Sequence, residues 1–140
     1  MGYTRRMHRL SFEIRDAQPG TGKGLFAREG YRAGDFIVEY TGVKIPTKEA
    51  DMHRGRYLFE LDDKWTIDGE PTNSPARYIN HCCLPNAEAR IERQDDGKHI
   101  MMYALRDILP EEEITIDYGE EYYNDFIRPV GCKCIAGKHR

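Results

Sequence analysis

The stretch Arg77-Tyr78-Ile79-Asn80-His81-Cys82-Cys83-Leu84-Pro85-Asn86 sets an amide, an imidazole and two thiols side by side between Ile and Pro. Asn offers two donors and an acceptor, and His offers a ring beside its backbone amide. Such a pair suits a ligand with an amino-acid end and a nucleobase. It equally suits a satisfied core His beside an Asn turn, and the pair alone does not decide. Further on, Glu113-Ile114-Thr115-Ile116-Asp117-Tyr118-Gly119 reads as a strand that ends in a phenol. Tyr118 there is either a core Tyr with a pinned hydroxyl or a phenol at a reacting centre.

Bulk composition narrows the class. A length of 140 residues corresponds to one domain. Apolar residues make up 39% and charged residues 32%, with nine Tyr, which suits a packed core under a wet surface. The net charge of -3 argues against direct nucleic-acid binding and leaves room for a cationic peptide partner. No apolar run approaches the roughly 20 residues that span a bilayer. Residues 1–15 are basic but lack the apolar core of a secretory signal, and Arg6 stands where myristoylation wants Ser or Thr. These features predict an intracellular chain with no membrane segment. In that setting Cys82, Cys83, Cys132 and Cys134 point to metal or redox chemistry rather than disulfides.

Short alternating runs broken by Gly, Pro and Asp predict a mainly β chain with a few short helices. Strands are expected over residues 10–15, 35–40, 87–92, 98–105 and 113–118. Hairpins are expected around Asp62-Asp63-Lys64, between 56–62 and 65–68, and around Asp95-Asp96-Gly97. Thr47 caps a short helix over 47–54, residues 75–80 form one helical turn, and 120–127 is helix or loop. Such a pattern fits a barrel-like or sandwich-like domain, and periodicity does not give its topology. The tail after Pro129 has no core of its own and needs a clip.

Two other segments carry chemistry. Gly22-Lys23-Gly24-Leu25-Phe26-Ala27 is a turn entering a strand, where glycine lets backbone approach a ligand; a plain β-turn explains it as well. It lacks the third Gly and the following helix of a dinucleotide fingerprint. Cys132-Lys133-Cys134 is followed by His139, and three soft ligands in so short a tail suit zinc, with Cys82 or Cys83 as the fourth. The alternative is surface thiols in an unstructured end.

Taken in order, Gly22-x-Gly24-Leu25-Phe26-Ala27, Glu39-Tyr40-x-Gly42, Tyr57-x-Phe59-x-x-Asp62, Asn80-His81-x-Cys83-x-Pro85-Asn86 and Glu113-Ile114-Thr115-x-Asp117-Tyr118 resemble the SET-domain protein-lysine methyltransferases. The resemblance runs from Gly22 to the C-terminus. It implies small curved β-sheets around a pseudoknot, with the Asn80 and Tyr118 segments brought side by side by a threading that ordinary folds avoid. It divides the chain into a lead-in at 1–21, a SET domain at 22–123 and a post-SET-like tail at 124–140.

The activity implied is methyl transfer from S-adenosylmethionine to a lysine amine of a protein or peptide partner. The alternative is a SET-fold binding module with weak catalysis that recognises a lysine-bearing partner. By motif position Gly22, Lys23, Gly24, Tyr57, Asn80, His81 and Tyr118 would meet the cofactor, and Tyr118 would be the catalytic tyrosine. Tyr40, Phe59 and Ile116 would line the lysine channel. Cys83, Cys132, Cys134 and His139 would hold zinc, with His139 replacing the usual last Cys. Ile116 and Ala89 stand where the family can place a Tyr that limits methylation, which implies a roomy pocket able to reach di- or trimethylation. No cysteine precedes Gly22, so the version expected here is minimal. Localisation would be cytoplasmic, or nuclear if a histone is the substrate.

Overall fold

Short β-favouring runs closed off by turn residues leave little room for long elements, and the chain folds as small sheets. The computed structural model of the protein describes residues 11–53 and 57–134. These fall into two units: one built from Met1–Asp35, Tyr78–Glu88 and Ala104–Arg140, the other from Phe36–Arg77 and Ala89–Tyr103.

The first unit holds a four-stranded sheet. Strand β1 (Phe12–Asp16) pairs antiparallel with β2 (Lys23–Ala27), with Phe12 opposite Ala27 and Asp16 opposite Lys23. The hairpin closes through Ala17 N to Gly22 O at 2.8 Å. Gly22 has φ of 70° there, a left-handed conformation in which a side chain is strained. On its other edge β2 pairs with β10 (Glu113–Ile116), which in turn pairs parallel with β7 (Asn80–His81). The order is therefore β1-β2-β10-β7. Every residue of β10 is buried, and Ile114 lies opposite Leu25, both fully enclosed. Burial of such branched side chains contributes roughly 1.5–3 kcal/mol each, so β10 is the natural centre of this sheet. The expected 113–118 strand thus stops short of Tyr118.

The second unit holds two three-stranded sheets. Strand β3 (Phe36–Glu39) pairs with β9 (Gly97–Ala104), which pairs with β8 (Ala87–Gln94). The Asp95-Asp96 turn joins β8 to β9, as its sequence predicts. The other sheet runs β4 (Val43–Pro46), β6 (Trp65–Asp68), β5 (Leu58–Glu60). Helix α1 (Thr47–His53) follows β4. The Thr47 hydroxyl turns to the Asp62 carbonyl at 3.0 Å and the Thr66 hydroxyl at 2.9 Å, tying the helix start to the β5–β6 turn. None of the three sheets closes on itself, so the fold is open sheets rather than a barrel. Among the described residues no helix is long and apolar enough to cross a membrane.

His99 on β9 sits between two carboxylates, with Nδ1 2.6 Å from Glu39 Oε2 and Nε2 2.6 Å from Asp96 Oδ1. Glu39 first, then Asp96, raise the imidazole above its ordinary value of 6.5. A raised folded-state value means that the ion pairs stabilise fully below the unfolded pKa and lose that contribution as pH rises through the folded one. His99→Gln should therefore flatten the decline in melting temperature above about pH 6.5. Parallel melting curves across that range for both proteins would contradict this.

Candidate active site and thiol cluster

The central position of β10 is what assembles the site in the first unit. Its antiparallel edge carries the Gly22-Lys23-Gly24 entry to β2, and its parallel edge carries Asn80-His81. Asn86, fully buried, staples the far end of that segment to β10. Its Nδ2 donates to Glu113 O at 2.7 Å, and its Oδ1 accepts from Thr115 N at 2.9 Å. Both halves of the amide are matched to backbone, which explains why an Asn stands there.

Past β10 the chain turns at Gly119, whose N–H donates to Asp117 Oδ1 at 2.8 Å. This brings Tyr118 over the Asn80 segment. The Tyr118 hydroxyl donates to Ile79 O at 2.5 Å, and the Tyr118 N–H donates to His81 Nδ1 at 3.1 Å. The ring lies 5.5 Å from the His81 ring and 5.0 Å from Tyr122, both edge-on. Tyr122 belongs to a short helix, α2 (Glu120–Tyr122), which continues as a π-helical turn at Tyr123–Ile127. Phe126 on that turn extends the aromatic series, 4.8 Å from Tyr122.

Asn80 ties three separate stretches of sequence together. Its Nδ2 donates to Lys23 O at 2.9 Å and to Glu113 Oε2 at 2.8 Å. Two acceptors on one side fix which end of the amide is nitrogen. Among the described residues Asn80 Oδ1 accepts no hydrogen bond. Lys23 itself points elsewhere, with Nζ 2.6 Å from Asp16 Oδ1, so its carbonyl is what faces the site.

The thiols sort themselves by direction. Cys82 is buried and its Sγ lies 3.4 Å from both Leu84 O and Leu84 N. Cys83 faces the tail, with Sγ 3.8 Å from Cys132 Sγ and N–H donating to Cys134 Sγ at 3.4 Å. Sulfurs about 2.3 Å from a tetrahedral zinc lie about 3.8 Å from one another, so this spacing fits a shared ion. Burial first, then the neighbouring sulfurs of Cys134 and Cys83, push the Cys132 thiol up to about 12. His139, the fourth expected ligand, lies outside the described residues.

His81 also brings a ligand atom within 4.8 Å of Cys83 and Cys132. Its protonation argues against coordination. The Tyr118 N–H occupies Nδ1, so the ring proton of the neutral form sits on Nε2, 3.5 Å from Cys83 Sγ. That nitrogen donates to the sulfur, and the ring links the thiol cluster to the Tyr118 backbone. The tail reaches the Gly-rich turn as well, since the Lys133 stem lies where a side chain at Gly20 would go.

In the second unit Tyr40 is buried and its hydroxyl donates to Tyr57 O at 2.6 Å. Phe59 lies 5.3 Å from it, ring to ring. The Tyr57 ring lies under the Arg77 guanidinium at 5.0 Å. Sequence reasoning gave Glu113 no part beyond the motif. The available signal was a carboxylate in a strand otherwise reading Ile-Thr-Ile.

A SET domain family model matches residues 22–119. Among curated proteins, the "Histone-lysine N-methyltransferase, H3 lysine-4 specific" of Aspergillus oryzae is 40% identical over 120 residues, covering 79% of this chain and 10% of that protein. The protein of the same name from Saccharomyces cerevisiae is 38% identical over 122 residues, covering 81% of this chain and 11% of that protein. The chain thus spans about a tenth of the length of the curated relatives it matches. Among solved structures, the Chaetomium thermophilum polycomb repressive complex 2 matches with a TM-score of 0.73 at 28% identity, over 83% of this chain and 16% of that one. A structure described as ctPRC2 in an autoinhibited conformation bound to S-adenosylmethionine matches with a TM-score of 0.73 at 30% identity, over 82% and 16%.

Proposed function

The chain belongs to the SET-domain family, and from that premise we propose that it is a protein-lysine N-methyltransferase using S-adenosylmethionine. The single observation that carries this reading is the β2-β10-β7 arrangement, which gathers the Gly22-Lys23-Gly24 backbone, Asn80, His81 and Tyr118 in one unit. The open Oδ1 of Asn80 suits a ligand with an ammonium group, and the space beside Gly22, where no described residue lies within 4 Å of the place a Cβ would take, admits its bulk. The named activity and the bound donor of its relatives agree with these features.

S-adenosylmethionine supplies an electrophilic methyl on a positively charged sulfur. The remaining work is alignment, which accounts for most of the acceleration in an in-line transfer. Gly22, Lys23 and Gly24 offer backbone, Asn80 offers Oδ1, and His81, with both ring nitrogens engaged, offers its backbone. Tyr57 completes the set by motif position. Tyr118, its hydroxyl held by the Ile79 carbonyl, would be the catalytic tyrosine. By motif position Tyr40, Phe59 and Ile116 would line the lysine channel, and aromatic faces favour a lysine cation before reaction. Free lysine has a pKa of about 10.4, and a dry channel beside a positive charge lowers it.

Cys83, Cys132 and Cys134 would hold zinc together with His139, and the ion would clip residues 124–140 to the SET domain at 22–123. The substrate is a protein lysine, and a histone tail is the first to test, because the relatives carry histone H3 in their names. Ile116 is buried on β10 and Ala89 is small, so no phenol from either position crowds the amine. Product from a long incubation should contain di- or trimethyl-lysine by mass spectrometry. Monomethyl-lysine alone at the end point would overturn the roomy pocket. The function itself is tested by methyl transfer from S-adenosylmethionine to histone and lysate proteins.

A further inference from the structure

Glu113 is a carboxylate buried at the middle of the first unit's sheet, 8% exposed, on a strand whose other residues are Ile, Thr and Ile. A carboxylate is expensive to keep there unless it is bonded. Burial raises its pKa, and the Asn80 amide works in the opposite direction. The Asn80 amide is the only side chain among the described residues that bonds it. Gly24 is shaped to it from the other side: a Cβ on Gly24 would come within 2.5 Å of Glu113 Oε2. The carboxylate therefore occupies the space that any side chain at position 24 would need.

From this packing we infer that Glu113 is a positioning residue for cofactor binding, acting through Asn80. Lys23 O and Glu113 Oε2 together hold Nδ2, and so hold Oδ1 as the acceptor left for a ligand. Lys23 O alone leaves the amide free to rotate about a single bond. With both acceptors, flipping the amide would set Oδ1 against two oxygens, which costs the bonds and adds repulsion. Gly24 is required because the carboxylate must approach the β2 backbone to reach Asn80. This links the glycine motif, the Asn-His motif and the Glu-x-Thr-x-Asp-Tyr motif through one side chain.

The inference rests on the S-adenosylmethionine reading for its ligand, so the experiment has one arm with the cofactor and one without. Calorimetry with S-adenosylmethionine compares the unaltered protein with Glu113→Gln, Glu113→Leu, Asn80→Ala and the Leu/Ala double variant. Gln keeps an acceptor for Nδ2 and should retain affinity within about twofold. Leu should weaken binding roughly tenfold, with the double variant no weaker than Asn80→Ala alone, since both changes act on one contact. Turnover at saturating cofactor should change far less than KM. Additive losses, or a Gln variant as weak as Leu, would overturn the inference. The second arm follows the Asn80 side-chain N–H resonances in the ligand-free protein. They should exchange slowly with solvent in the unaltered and Gln proteins and fast in the Leu protein. Equal exchange in all three would overturn the role of Glu113 even if no cofactor bound, whereas absent binding to the unaltered protein with the exchange pattern intact would count against the methyl-donor reading alone.

Discussion

Tyr118→Phe should bind S-adenosylmethionine within about twofold of the unaltered protein yet transfer methyl groups roughly 10²-fold more slowly, a loss of the size that misalignment at a reacting centre produces. The substitution removes one atom. The ring stays packed between His81 and Tyr122 at 5.5 and 5.0 Å, and the backbone N–H of residue 118 still reaches His81 Nδ1. What disappears is the hydroxyl held at 2.5 Å on Ile79 O. On the proposed reading this oxygen would hold the polarised methyl through a weak C–H···O contact. Single-turnover transfer with cofactor in excess separates the step from binding. Unchanged turnover would remove Tyr118 from the reaction.

Cys83→Ala should strip zinc from the protein and release the tail, whereas Cys82→Ala should leave both unchanged. The contrast follows from direction: Cys83 Sγ faces Cys132 Sγ and the Cys83 N–H meets Cys134 Sγ, while Cys82 Sγ faces Leu84. Val130, Gly131 and Lys133 are exposed, so few apolar contacts hold the segment down. A structural zinc in a small site is worth about 10–16 kcal/mol near neutral pH, far beyond what such a segment supplies by burial. Metal analysis should give about one zinc per chain for the Cys82 variant and none for the Cys83 variant. Trypsin should then cut after Arg128 and Lys133 quickly in the latter. Equal zinc content in the two variants would contradict the assignment.

Much of this fold is legible where a local signal exists. The Asp95-Asp96-Gly97 turn and its flanking alternation mark β8 and β9, and Gly22 announces the turn into β2. Strand β4 escaped notice because Val43-Lys44-Ile45-Pro46 ends in a proline and runs straight into a helix. It is an edge strand, where a missing N–H is tolerated. Strand β7 has only two residues, and its partner in the sheet is β10, far along the chain. No period can reveal a pairing of that kind; the family resemblance supplied it.

The site divides in the same way. Asn80, His81, Tyr118 and the Cys82-Cys83 pair stand out by residue type and spacing. The choice of Cys83 over Cys82 does not, because adjacent residues in extended chain point to opposite faces and the sequence does not say which face meets the tail. The orientation of the His81 ring depends on the Tyr118 backbone, and the role of Glu113 depends on the closeness of Gly24. Both arise from packing between segments that are distant in sequence.

The central claim is tested most directly by incubating the protein with isotopically labelled S-adenosylmethionine and histone or lysate proteins, then mapping label by mass spectrometry. The account predicts labelled methyl groups on lysine ε-nitrogens, lost in Tyr118→Phe. Label absent from every lysine, with cofactor binding intact, would contradict it.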